Sequence, residues 1–178
     1  MIIEMKEDSV MDVLQAIKER RSIRQYSQEP VSENQLNQIL EAGRWAPSRG
    51  NSQPWKFIVL NDDQIRKELA EAIPTGKFLA QAAQGIAVVV NPEVSKHPEQ
   101  EGAAAIQNML LAAHALRLGT CWISVWGTEW AETAAHVLGI PDEEWLISVV
   151  SIGYPAEAPE KGRKGLEEIT FANKYGLH

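Results

Sequence analysis

The chain has 178 residues, of which 44% are apolar and 23% charged, so it is long enough to bury a sizeable core. Its formal net charge of −7 argues against a nucleic-acid-binding or anionic-membrane surface, because such surfaces are basic. A single cysteine excludes an internal disulfide and a cysteine-cluster metal site, so nothing requires an oxidising compartment.

The N-terminal stretch "MIIEMKEDSV" is charged and has no apolar signal-peptide core. No run of the chain reaches the ~18 apolar residues of a membrane span. We therefore expect a cytoplasmic protein in which residues 1–178 form one domain.

The predicted elements mix helices and strands. The first helix has an apolar stripe and ends near Arg20, and the second begins with a capping box at Ser32 and Gln35 and stops before Pro47. The remaining predictions are strands at 55–60, 86–90, 121–126 and 145–153 and helices at about 63–73, 102–118 and 131–138. Together they predict a sheet with helices on both faces.

The predicted helix at 102–118 is rich in alanine and apolar on nearly every side. A helix of this kind must be covered on every side. We expect it either at the centre of the fold or shared with a second subunit.

Two basic segments are candidates for binding an anion. "RRSIR", residues 20–24, presents three forked guanidinium groups around a hydroxyl, which suits a phosphate, although a solvated helix end is an alternative reading. "KGRKG" places Lys161 and Arg163 two residues apart in an extended stretch, so both can face one anion. A charged surface tail is the alternative there.

Two further segments suit a flat polar ligand. "PSRGNSQPW", residues 47–55, offers hydroxyl, amide and backbone donors on a non-helical stretch, although it also fits an ordinary loop between a helix and a strand. In "SIGYP", Gly153 permits close approach of the backbone to a ligand, and a simple turn before Pro155 explains the glycine equally well.

Five segments, "RRSIRQY", "APSRGNSQPWKF", "QNMLLAAHALRLGTCWI", "SIGYP" and "KGR", together resemble the nitroreductase family in sequence and order, over roughly residues 13–169. The resemblance implies an α+β fold with a central, mostly antiparallel sheet flanked by helices. It implies an intertwined homodimer with FMN at the subunit interface and the Ala-rich helix along the dimer axis. The implied activity is ping-pong hydride transfer from NADH or NADPH through flavin N5 to a small acceptor such as a nitroaromatic or a quinone.

The resemblance also implies the cofactor contacts. In one subunit, Arg20 and Ser22 would contact the FMN phosphate and nearby ribityl oxygens, and Lys161 and Arg163 would complete the phosphate clamp. Arg24 would lie by the pyrimidine edge, and Arg21 would be a further cofactor-binding residue. The N–H groups of Ile152 and Gly153 would face N5 and O4 of the flavin. The other subunit would contribute Pro47, Ser48, Asn51 and Gln53. We expect no catalytic side chain, because the cofactor carries the hydride chemistry.

Arg117 departs from the family pattern, because it stands where the family often has glycine. The segment 91–102 is also short compared with larger members of the family, which have helices there that cover the pocket. An open substrate pocket is therefore expected. Two other functions stay open: a non-catalytic flavin-binding sensor or carrier, and a cysteine hydrolase built on Cys121 with His114 or His136. The four histidines show no metal-ligand spacing, so we predict no metal.

Overall fold

The computed structural model describes residues 11–177. The helices are α1 (Val13–Glu19), α2 (Glu33–Arg44), α3 (Asp63–Ala72), α4 (Pro98–Ala115), α5 (Ala131–Val137) and α6 (Leu166–Ile169), and the strands are β1 (Trp55–Leu60), β2 (Gln84–Val90), β3 (Gly119–Ser124) and β4 (Trp145–Gly153). Two 3-10 helices lie at Arg49–Asn51 and Pro74–Gln81. The charged N-terminal stretch, residues 1–10, lies outside the described residues. Within them, no helix is long and apolar enough to cross a bilayer.

The four strands form one sheet in the order β1-β2-β4-β3, and every neighbouring pair is antiparallel. Along β2, Ile86 and Val88 pack on the side of α2 and α4, whereas Ala87 and Val89 pack on the side of α3 and α5. Successive strand residues face opposite sides of a sheet, so the chain has a core on each face. The predicted α+β fold with helices on both faces is confirmed.

Most local predictions of structure are confirmed within a few residues. The capping box of α2 is present, because the Ser32 side chain accepts the Gln35 N–H at 3.3 Å and the Gln35 side chain accepts the Ser32 N–H at 3.1 Å. Helix α4 begins at Pro98, before its predicted start, because proline suits the first helical position and acidic residues suit the first turn. The connection from β2 therefore spans only residues 91–97.

The two short helices at Pro74–Gln81 and Leu166–Ile169 were not predicted. The first of them begins with Pro74, the proline that correctly marks the end of α3. Leu79 in this segment is wholly buried and anchors it in the core on the side of α3 and α5. Burial of this leucine, with Phe78 and Ala80 packed against the same core, thus gives structure to a stretch without a helical pattern of its own.

Helix α4 is not covered on every side within the protomer. Ala105, Ile106 and Met109 are wholly buried in the core, but Leu111 is only half-buried and Gln107 is exposed. The helix therefore packs on its own sheet along one side and leaves another side uncovered in the single chain.

Arg117 occupies the left-handed position that ends α4, with φ of 64°. Its N–H donates to the His114 carbonyl at 2.9 Å and the Leu118 N–H donates to the Ala113 carbonyl at 2.8 Å, which is the Schellman pattern. Glycine is favoured at this position because it adopts positive φ without strain, and this accounts for the glycine that the family often has where this chain has Arg117.

Candidate functional site

The extended segment after α1 places the predicted phosphate-binding residues on one side. Ser22 forms a parallel bridge with Thr120 at the start of β3. Burial raises the pKa of the Cys121 thiol, and Arg24, Ser22 and Arg20 oppose this rise. Arg20, Ser22 and Arg24 are every second residue of this extended segment. Their side chains all lie near Cys121, so they share one side of the segment.

Arg20 and Arg163 form a pair of neighbouring cations. Burial lowers the pKa of Arg20, and the charge of Arg163 and then that of Arg21 lower it further. None of the ion pairs in the described chain involves Arg20, Lys161 or Arg163. Neighbouring like charges without an ion-pair partner repel each other, so Arg20 and Arg163 suit an anion supplied from outside the chain.

Arg21 faces a different set of partners. Its Nη1 donates to the carbonyl oxygens of Lys18 at 2.7 Å and Arg20 at 2.9 Å, which lie at the end of α1 where helix carbonyls lack partners. It also lines a cavity of about 740 Å³ together with His114 and Lys161. The structure thus gives Arg21 a helix-capping role, and its contact with a cofactor stays a prediction.

Glu157, in the chain after β4, connects that part of the chain to the segment that carries Arg24. The Glu157 carboxylate accepts the backbone N–H groups of Arg24 and Gln25. The Arg24 guanidinium is exposed and lies 5.7 Å from the centre of the Phe78 ring. Arg163 is also exposed and donates to its neighbouring carbonyl at Gly162 at 2.9 Å. Both guanidinium groups are therefore accessible to a ligand.

The loop at 47–53 is not joined to the Arg20–Arg163 pair within the protomer. Pro47, Asn51 and Gln53 are exposed and Ser48 is half-buried. In the described chain, the hydrogen bonds recorded for this loop run within it or to Glu101. One protomer thus presents two separate sets of polar groups.

The end of β4 holds Ile152 between two strands. Ile152 is wholly buried and is paired with Gln84 of β2 and Thr120 of β3, whereas Gly153 is paired with Gly119 of β3. A Cβ on Gly153 would lie 2.8 Å from Cδ1 of Tyr26. Packing against Tyr26 therefore explains this glycine, and the contacts of both N–H groups with a flavin stay a prediction.

The site of the alternative cysteine hydrolase is poorly suited to catalysis. Cys121 is only 2% exposed and burial raises the pKa of its thiol, which disfavours the reactive thiolate.

In the described residues, no group of three His, Cys, Asp or Glu side chains is placed to hold a metal ion. His178 lies outside the described residues.

Sequence reasoning missed Glu101. This carboxylate is 5% exposed and accepts the Arg49 N–H at 2.7 Å and the Ser52 hydroxyl at 3.2 Å. The available signal was a pair of acidic residues, Glu99 and Glu101, directly before an otherwise apolar, Ala-rich helical stretch.

Comparison with known proteins assigns the family. The model of the Nitroreductase family matches residues 17–101 and 75–154. A relative from Archaeoglobus fulgidus, provisionally named NADH dehydrogenase/NAD(P)H nitroreductase, is 41% identical over 151 residues, which is 82% of this chain and 87% of the relative. The chain belongs to the nitroreductase family, as its motifs predict.

Two solved structures share the fold. One is a provisionally named NADH dehydrogenase/NAD(P)H nitroreductase from Bacteroides thetaiotaomicron, with a TM-score of 0.88 and 32% identity over 92% of this chain and 98% of that one. The other, a provisionally named nitroreductase from Desulfovibrio desulfuricans, was solved in complex with FMN. It has a TM-score of 0.81 and 37% identity over 93% of this chain and 98% of that one.

Proposed function

We propose that this protein is an FMN-dependent oxidoreductase that passes electrons from NADH or NADPH to a small acceptor such as a nitroaromatic or a quinone. The observation that carries the proposal is the Arg20–Arg163 pair, which has no carboxylate partner in the described chain and lies beside Ser22. Membership of the nitroreductase family and the FMN bound to the Desulfovibrio desulfuricans relative support it.

The donor set fits the phosphate of a mononucleotide. Arg20, Arg163 and Lys161 supply charge-assisted hydrogen bonds to phosphate oxygens, and the Ser22 hydroxyl donates to an adjacent oxygen. Arg24 would hold the pyrimidine edge, where its positive charge would stabilise the negative charge of a reduced ring. When bound, FMN supplies the hydride chemistry at N5 in a ping-pong sequence. The chain itself then supplies binding and electrostatics, with no acid or base required for that step.

A second copy of the chain completes the site in this proposal. The loop at 47–53 presents Pro47, Ser48, Asn51 and Gln53 to the flavin held by the partner, so its exposed polar groups gain hydrogen bonds. In each protomer, the N–H groups of Ile152 and Gly153 would donate to N5 and O4 of the flavin that the same protomer holds. The uncovered side of α4 supports a homodimer, because an apolar helix side is stabilised by packing on another chain.

Two measurements test the proposal. The purified protein should be yellow, with FMN identified by mass analysis of the released chromophore, and anaerobic mixing with NADH or NADPH should bleach its visible absorption within seconds. A bound flavin that neither nucleotide reduces would favour the sensor or carrier instead. A monomer unable to take up FMN would refute both the oxidoreductase and the flavin-binding sensor or carrier. A cytoplasmic location stays a prediction.

A further inference from the structure

A buried carboxylate on α4 holds the loop at 47–53 in place. Glu101 is 5% exposed, its Oε1 accepts the Arg49 N–H at 2.7 Å, and its Oε2 accepts the Ser52 hydroxyl at 3.2 Å. No ion pair within residues 11–177 involves Glu101. Burial of an ionised group is costly unless it is hydrogen-bonded, so donors of this loop and the nearby N-terminus of α4 compensate the charge.

The backbone of the loop requires such support. Gly50, Asn51 and Gln53 have φ of 60°, 59° and 47°, which is the left-handed region that residues other than glycine rarely adopt. Ser48 provides internal bonds, because its hydroxyl accepts the Gln53 N–H at 3.0 Å and its carbonyl accepts the Asn51 N–H at 3.1 Å. Strained conformations persist where the surroundings fix them, and Glu101 supplies that contact from α4.

The same helix also fixes the chain that leads into the loop. Two turns along α4 from Glu101, the Asn108 side chain donates to the Ala42 carbonyl at 3.1 Å. Helix α2 lies close against α4 here, since a Cβ on Gly43 would overlap the Met109 side chain. Helix α4 therefore sets both the end of α2 and the shape of the loop that follows it.

We infer that Glu101 is a positioning residue for the cofactor. It holds the loop in the conformation in which Ser48, Asn51 and Gln53 bind the flavin of the partner protomer. This inference rests on the proposed function. Glu101 acts through the loop. When Glu101 is removed, the loop is no longer preformed and has to become ordered on binding, so flavin affinity falls.

The first test compares FMN binding by three full-length variants in the dimeric protein. Glu101→Leu removes both acceptor oxygens, and we expect its FMN Kd to rise about tenfold, with faster FMN release, because the loop must then become ordered on binding. Glu101→Gln keeps an oxygen for the Arg49 N–H and an amide that can donate to Ser52, so it should bind nearly as the wild type does. Glu99→Gln, an exposed change in the first turn of α4, is the matched control.

A second pair of variants leaves the core untouched. Arg49→Pro and Arg49→Ala both remove the exposed guanidinium, but only proline also removes the N–H that Glu101 accepts. Ser48 is extended, with φ of −141° and ψ of 155°, and Arg49 opens a 3-10 helix, so proline suits the backbone at this position. We expect Arg49→Pro to bind FMN several-fold more weakly than Arg49→Ala. The melting temperatures of the two apoproteins show that both variants are folded.

The outcomes separate the inference from the proposed function. Weaker FMN binding by Glu101→Leu, rescued in Glu101→Gln and repeated in Arg49→Pro against Arg49→Ala, supports the positioning role. If Glu101→Leu does not fold, the Arg49 pair decides alone. Unchanged FMN Kd and release rate in Arg49→Pro would overturn the inference and leave the proposed function standing. A wild-type protein that binds no FMN would refute the proposed function and the inference together.

Discussion

The ring of Tyr26 lies so close to Gly153 that a Cβ on this glycine would stand 2.8 Å from Cδ1 of the ring. The ring has no room to retreat, because its hydroxyl donates to the Ile23 carbonyl at 2.6 Å and is hydrogen-bonded to Ser151 at 2.7 Å. Burial raises the pKa of this phenol, which therefore stays protonated. Tyr26 thus joins the segment that carries Arg20 and Arg24 to the end of β4.

Gly153→Ala should destabilise the protein. The added methyl group has to displace a buried ring whose hydroxyl has fixed partners, and overpacking of this kind costs about 1–3 kcal/mol. Urea unfolding followed by circular dichroism measures the loss in free energy of unfolding. Gly162→Ala is the control, because nothing lies within 4 Å of a Cβ there and the residue is exposed. Equal stability of the two variants would show that the ring can move.

Local signals in the sequence predicted most elements of the fold. The capping box at Ser32, the apolar runs of β1 and β2, and the proline that ends α3 each act over a few neighbouring residues. The 3-10 helix at Pro74–Gln81 was missed because its order comes from Leu79, which packs against distant parts of the chain. Periodicity within a segment carries no information about such contacts.

The contacts of the candidate site with a cofactor stay predictions, although the structure brings some of the predicted residues together. The motif around Arg20 and Ser22 was recognised from its residues, and the structure places these two side chains together near Cys121. The contacts of Glu101 and Glu157 were missed, because each carboxylate accepts backbone N–H groups that are remote in sequence. Every residue except proline has a backbone N–H, so the residue type does not indicate which N–H a remote carboxylate binds. Such a hydrogen bond is seen only in the folded chain.

Acid should destabilise the protein through His114. Its Nε2 is buried without a hydrogen-bond partner in the described chain, and burial lowers its pKa, with Glu19 opposing and Arg20 and Arg21 adding to the decrease. The unfolded chain then binds the proton more readily. Stability contributed by neutral His114 is complete above its ordinary pKa of 6.5 and is lost as the pH falls towards the lower folded value.

Replacing His114 tests that pH dependence. In His114→Gln, the decrease in melting temperature between about pH 7.5 and 5.5, a range that brackets the ordinary histidine pKa, should be smaller than in the wild type. Differential scanning fluorimetry at matched ionic strength measures it. The exposed His136 provides the control variant His136→Gln, which should keep the wild-type profile. Identical profiles for all three proteins would contradict a contribution from His114.

A charge on the uncovered side of α4 should weaken the proposed homodimer. Leu111→Glu places an unpaired carboxylate where we expect two copies of the helix to meet, and burial of that charge should weaken self-association at least about tenfold. Analytical ultracentrifugation measures the dimer Kd, and FMN content should fall with dimer content. Gln64→Glu on α3 adds the same charge at an exposed position on the other side of the sheet. An unchanged dimer in Leu111→Glu would place the interface elsewhere.

Removing both members of the Arg20–Arg163 pair should give a largely apo protein. Arg20→Ala with Arg163→Ala takes away two charge-assisted hydrogen bonds to phosphate, worth about 1.5–3 kcal/mol each, so FMN affinity should fall roughly 10²- to 10⁴-fold. The same change relieves the repulsion between the two guanidinium groups, so the melting temperature of the apoprotein should not decrease. Lys67→Ala with Lys77→Ala removes equal charge from exposed positions and should retain FMN. Normal flavin occupancy in the double arginine variant would refute the assignment of Arg20 and Arg163 to the phosphate.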